Sequence, residues 1–360
     1  MSAGRIRGGV LSQLPEPPAT GGDLAAFVAG LPKAELHVHH VGSASPRIVA
    51  ELAARHPDSP VPKDPERLAE FFTFRDFAHF IEVYISVVNL IKTPEDVRLL
   101  TYEVARDMAR QRIRYAELTV TPYTLALRGI PDEAIVEAIE DARVTAERDL
   151  GLVLRWCFDI PGELGLPAAD GTLACALGQQ PDGLVSFGLG GPEQGWPRAL
   201  FKPVFDQAIA AGLRSVPHAG ETTGPETVWD ALTSLRAERI GHGINSAQDP
   251  ELLAHLAREQ IPLEVCPTSN VATGAVSSLA EHPLPRLVEA GVPVTINSDD
   301  PPMFGTDLCR EYLVAARLLD LDEAGVADLA RNAVAASFLD PAGKARLTAE
   351  IDDHLATWAG

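Results

Sequence analysis

The chain has 360 residues, enough for one large domain or two ordinary ones, and 46% of them are hydrophobic, enough to fill a core. A formal net charge of −20 argues against a nucleic-acid backbone or an anionic membrane as partner, because an acidic surface repels both. The four cysteines, Cys157, Cys175, Cys266 and Cys309, are scattered without a CxxC pair, which argues against a disulfide framework and for a reducing, cytoplasmic setting.

Residues 1–22 are rich in Gly, Pro and Ser and lack periodicity, so a loosely packed lead-in is expected before one domain over 23–360. Arg5 and Arg7 are followed by Gly and Pro rather than an apolar stretch, so no secretory signal is predicted. No apolar run is long enough to span a bilayer. The first predicted strand is Ala34–His40, and seven more follow: Arg114–Thr121, Leu152–Ile160, Leu184–Gly190, Leu213–His218, Arg239–His242, Pro262–Cys266 and Pro293–Asp299. Most are short apolar runs without strict alternation, as parallel strands covered on both faces should be.

Helical patterns lie between them. Thr93-Pro94 opens one, with a capping residue and a proline suited to the first turn. Ile135, Ala138, Ile139 and Ala142 define an apolar stripe between Pro131 and Gly151; Val228, Ala231, Leu232 and Leu235 repeat it after Gly224-Pro225. This alternation predicts a (β/α)8 TIM-type barrel with additional helices, and no GxGxxG follows the first strand to favour a doubly wound sheet. The long connection at about 43–112 is expected to carry a helical lid.

Barrel active sites form at the C-terminal ends of the strands, and the polar groups here fall at those ends. His37 and His39 share one face of the first strand, two residues apart. With His218 and Asp299 they make a three-nitrogen, one-oxygen set suited to Zn²⁺. His242 ends the sixth strand. A lone histidine is more often packed or exposed than ligating, and His56, His79, His255, His282 and His354 are assigned to that class. His40 points opposite to His39 and is expected to be structural.

The motifs KAELHVHHVGS (Lys33–Ser43), GLGGPE (Gly188–Glu193), HAGE (His218–Glu221), RIGHG (Arg239–Gly243), EVCPTSN (Glu264–Asn270) and NSDDP (Asn297–Pro301) occur in that order. Together they make the chain resemble the adenosine deaminase family of the amidohydrolase superfamily, from about Leu31 to about Leu339. The resemblance implies zinc on His37, His39, His218 and Asp299, with Glu221 and His242 catalytic and Asp300 and the Gly191 backbone on a purine. A water acidified by the metal would attack C6 while a protonated Glu221 donates to N1, releasing ammonia. Binuclear relatives carry a bridging lysine at the end of strand four; LVSFGLGG has none, so one ion per chain is expected.

Substrate is a separate question. Adenosine deaminases typically place an acidic residue two positions after the second histidine to bind the nucleoside 5′-hydroxyl, and here that position is Val41. An unpaired hydroxyl costs roughly 1–3 kcal/mol, so a larger, less polar 5′ substituent is expected. The chain looks most like family members acting on a purine nucleoside with a carboxylated aromatic ketone at its 5′ end. Phe74, Arg75 and Phe77 are the candidates to meet that group, by ring stacking and by ion pairing. Adenosine and adenine remain the alternative substrates, and a non-catalytic purine-binding protein the alternative role.

Overall fold

The computed structural model describes residues 22–73 and 77–358. Eight strands run in chain order: β1 Lys33–His39, β2 Ile113–Val120, β3 Val153–Pro161, β4 Leu184–Gly190, β5 Arg214–Ala219, β6 Ile240–His242, β7 Leu263–Val265 and β8 Val294–Ile296. Each pairs in parallel with the next, giving the sheet order β1 to β8 without crossovers. One bridge, Val38 to Asp299, joins the last strand back to the first. There the His39 amide donates to the Asp299 carbonyl at 2.9 Å, and the Asp299 amide donates to the His37 carbonyl at 3.1 Å. Closure of the barrel and assembly of the candidate metal ligands are therefore the same event.

All eight predicted strands are present. The eighth ends at Ile296, earlier than expected; beyond it Asp299, with a left-handed backbone of φ 66°, pairs with the end of β1 as an isolated bridge. β1, β2 and β3 are buried almost throughout, as sheet covered by helices must be. Lys33 at the foot of β1 is fully buried and donates to the Val28 and Leu31 carbonyls at 2.7 Å, tying down the end of the preceding helix Gly22–Gly30.

Helix Pro94–Arg110 begins with a reciprocal capping box between Thr93 and Asp96. Helix Asp132–Leu150 buries Ile135, Ala138, Ile139 and Ala142 and ends where Gly151 turns left-handed. These two helices pack against each other on the outside of the barrel. Three more helices, Pro46–Arg55, Pro65–Phe71 and Phe77–Val88, fill the rest of the connection between β1 and β2. Phe74 and Arg75 lie outside the described residues, as does the segment 1–21; Phe77 opens its helix, with its side chain outside the described set. Among the described residues, no helix is long and apolar enough to cross a membrane.

Candidate active site

The C-terminal ends of β1, β5, β6 and β8 bring His37, His39, His218, His242 and Asp299 into one cluster. Rings of His37 and His218 stand 4.5 Å apart between centroids, and those of His37 and His242 4.7 Å. Nε2 of His39 lies 3.2 Å from Asp299 Oδ1 and 3.3 Å from Nε2 of His218, while Nε2 of His37 lies 3.8 Å from Asp299 Oδ1. The three ring nitrogens of His37, His39 and His218 all fall within 4.8 Å of one another. Two nitrogens at such distance cannot both point protons at each other, and His37 Nε2 is buried with no hydrogen-bond partner. A divalent cation satisfies all of these lone pairs together, so the donor set fits a metal ion.

The first candidate ligand, His37, is oriented from behind. Nδ1 of His37 is held by Glu264 at 2.9 Å, and the other oxygen of Glu264 accepts from Arg239 Nε at 2.6 Å. Arg239 also pairs with Glu117 and lies over the Phe338 ring, 4.0 Å from its centroid. Its charge, joined by the hydrogen bond from His37, keeps the buried Glu264 carboxyl below the usual range, against the pull of burial. Ionised Glu264 thus accepts Nδ1–H of His37 and leaves Nε2 bare for a metal. Cys266 lies near the same point; its thiol donates to the Glu264 carbonyl at 3.7 Å, and burial, with Asp299, Glu311, Glu264 and Glu221 nearby, raises its pKa.

Gly241 sits where the histidine rings cross. A Cβ there would lie 2.8 Å from Cε1 of His37 and 3.2 Å from Cγ of His218, so only glycine lets both rings lie down. His242, the next residue, takes φ 59°, a strained conformation for a non-glycine residue. Its Nε2 points between Glu221 Oε2 at 3.6 Å and Asp299 Oδ2 at 3.9 Å.

Glu221 follows β5 on a turn held by another carboxylate. Glu193 accepts from the backbone amides of Gly220 and Glu221 at 2.8 Å and of Thr222 at 3.0 Å, and from the Thr223 hydroxyl. Burial raises the Glu221 pKa, with Asp299 and Glu193 adding to the rise against His242. The protonated acid is thereby favoured. Asp300 is likewise pushed up to about 7 by burial and by Asp299, and its Oδ1 is buried without a partner. Gly42 packs directly on that carboxyl: a Cβ would fall 1.4 Å from Asp300 Oδ1.

Val41 is half-buried and packs against the apolar core, offering no polar group two positions after the second histidine. Gly191 takes φ 76° beside Glu163. Burial, and then the nearby carboxyls of Asp300, Asp299, Asp159 and Glu163, raise the pKa of the hydroxyl of Tyr84, on the helix Phe77–Val88; this one inserted helix therefore reaches the site. His40 turns away as expected and bonds Thr101 of the outer helix at 2.8 Å.

Sequence reasoning missed several residues here. Glu264 and Glu193 stand inside quoted motifs without a role, although a glutamate in a buried strand is itself a signal. Asp159, on β3, is 3% exposed, and burial raises its pKa to about 7. Gly188 and Gly190 make room for its carboxylate, since a Cβ at either would come within 2.6 Å of it. His282 is buried, as a packed histidine should be, but it is not remote from the site: it bonds Asn270, which bonds His242.

Comparison with known proteins agrees with this architecture. The chain is 73% identical over 341 residues to the aminodeoxyfutalosine deaminase of Streptomyces avermitilis, covering 94% of this chain and 95% of that one. The adenine deaminase structure from Arthrobacter aurescens superposes with a TM-score of 0.85 at 32% identity, covering 91% of this chain and 99% of that one. An amidohydrolase structure from Burkholderia ambifaria with bound Zn matches with a TM-score of 0.84 at 25% identity, over 94% and 95% of the two chains. The profile of the adenosine deaminase family matches residues 32–354, a span that takes in every strand of the barrel and all of the clustered side chains. The chain belongs to the adenosine deaminase family.

Proposed function

We propose that this chain is a hydrolytic deaminase that converts 6-aminodeoxyfutalosine to futalosine and ammonia, a step of menaquinone biosynthesis. The observation that carries the substrate is the 73% identity to the aminodeoxyfutalosine deaminase of Streptomyces avermitilis across 94% of the chain. Val41 supports it, because an apolar residue there offers nothing to a free 5′-hydroxyl.

His37, His39, His218 and Asp299 would hold one metal ion, which we assign as Zn²⁺ from the nitrogen-rich set and from the Zn-bound relative. The absence of a lysine in β4 supports a single ion. When bound, the metal supplies an acidified water as nucleophile near neutral pH. The chain's own residues do the rest. Asp300, whose pKa is raised to about 7, would hold N7 of the purine, and the Gly191 backbone would contact the ring. As water oxygen adds to C6, a ring electron pair moves to N1 and takes a proton from Glu221. One proton of the water then passes to the amino group, which departs as ammonia, and the other returns to Glu221, leaving the 6-oxopurine and restoring the acid. His242 stabilises the charge on the incoming oxygen.

Adenine deamination is the second reading, favoured by the similarity to the Arthrobacter aurescens adenine deaminase structure. A side-by-side ammonia-release assay on aminodeoxyfutalosine, adenosine and adenine, with metal analysis of the same preparation, separates the two. Preference for aminodeoxyfutalosine is expected. A preference for adenine or adenosine would overturn the substrate, and failure to turn over any of them with Zn²⁺ added would overturn the reaction.

A further inference from the structure

Behind His242, away from the metal ligands, runs a chain of hydrogen bonds whose direction is set at its far end. The backbone N–H of Leu284 donates to Nδ1 of His282 at 3.1 Å. A backbone amide can only donate, so His282 Nδ1 accepts and the ring's single proton sits on Nε2. Burial keeps this imidazole neutral by pushing its pKa down to about 4. His282 Nε2 then donates to Oδ1 of Asn270 at 3.2 Å, which turns the other end of the amide toward His242. There Asn270 Nδ2 lies 3.2 Å from His242 Nδ1. An amide nitrogen has no lone pair to offer, so His242 Nδ1 is the acceptor. The three side chains are nearly sealed from solvent, with exposures of 1%, 0% and 4% for His242, Asn270 and His282.

We propose that Asn270 and His282 are positioning residues that fix His242 in the Nε2–H tautomer, so that His242 acts on the reacting oxygen as a hydrogen-bond donor and not as a base. The relay begins from a backbone group of the segment after β7 and ends at the barrel mouth. Its sign is transmitted by alternation of donor and acceptor, not by charge. The functional part of this inference rests on the reading of the site as a deaminase centre. The tautomer itself does not.

Asn270→Asp tests the direction while nearly preserving size. A carboxylate in that place accepts from His242 Nδ1, which requires the proton there and leaves Nε2 of the neutral ring without one. Misplacing a catalytic histidine's proton costs about 10⁴-fold in kcat in the serine-protease triad, so a loss of roughly 10²–10⁴-fold in kcat is expected here, with KM within about threefold. His282→Gln supplies an amide donor toward Asn270 and is expected to keep kcat within about tenfold, whereas His282→Leu should lose more.

The direct readout is ¹⁵N NMR of ring-labelled, zinc-loaded protein, with the His242 signals assigned by their loss in His242→Gln. Wild type should show a bare Nδ1 and a protonated Nε2, and Asn270→Asp a protonated Nδ1. A wild-type spectrum with the proton on Nδ1 would overturn the proposal, as would an Asn270→Asp enzyme with unchanged kcat. If wild type deaminates none of the purines, the functional reading fails, and the spectrum alone decides the tautomer.

Discussion

Glu264→Gln isolates the support behind the candidate metal site without replacing any of the four candidate ligands. In the native arrangement one oxygen of Glu264 accepts from Arg239 Nε at 2.6 Å and the other from His37 Nδ1 at 2.9 Å. Glutamine offers one acceptor and one donor to two donors. If its oxygen faces the arginine, its NH₂ faces His37, and the ring can satisfy it only by accepting at Nδ1. The His37 proton then moves to Nε2, the atom that must be bare to bind metal. If the oxygen faces His37 instead, an NH₂ confronts a buried guanidinium that keeps only Glu117 as its carboxylate partner. Loss of such outer partners typically lowers metal affinity about 10–100-fold, or about 1.4–2.8 kcal/mol. Breaking a buried pair adds a stability loss of about 3–5 kcal/mol in the apo protein. Competition against a chromophoric chelator measures the affinity, and thermal melts with and without Zn²⁺ measure the coupling. A folded Glu264→Gln protein with wild-type Zn²⁺ affinity would refute the reasoning.

Four further outcomes follow from other parts of the site and the core. Glu221→Gln should retain metal in elemental analysis while losing about 10²–10⁴-fold in turnover, as expected for a missing general acid. Gly42→Ala places a Cβ 1.4 Å from Asp300 Oδ1, so Asp300 must move; at about 1–3 kcal/mol for overpacking, kcat/KM should fall about 5–150-fold with metal content unchanged. Val41→Asp restores an acceptor for a 5′-hydroxyl and should raise the adenosine to aminodeoxyfutalosine ratio of kcat/KM by at least about fivefold in parallel rate assays. Glu35 is buried, which raises its pKa to about 7 from the usual 4.5, while Ser298 bonds partly oppose the rise. A raised folded-state pKa contributes stability that is full below the unfolded value and lost as pH climbs through about 7. Glu35→Gln should therefore raise the melting temperature relative to wild type at pH 8 and change it little at pH 4, in scans at both values.

The inner organisation of the site separates what is local from what is not. His37 and His39 were legible because a strand projects alternate residues to one face, and His218, His242 and Asp299 because each closes an apolar run. Val41 was legible from its distance to His39. The histidine relay was not: His282 lies in a segment without periodicity, and nothing in that segment points to His242. Glu264 was visible as a charge inside a buried strand, yet its partner His37 is 227 positions away. Phe74 and Arg75, two of the three residues expected to meet the 5′ substituent, fall outside the described structure, as does the side chain of the third, Phe77.

Sequence by itself therefore determined the barrel, its eight strands and which side chains are candidate ligands, because strand burial, helix periodicity and strand-end residues are properties of short segments. Tertiary structure alone decided how those ligands are tuned. The Asp299 backbone meets His37 and His39 only when β8 closes on β1. Glu264 can hold the His37 proton on Nδ1, leaving Nε2 bare, only because Arg239 keeps it ionised beneath the site. Tautomer, charge and proton position depend on which distant groups touch, and those contacts exist only once the ring of strands is closed.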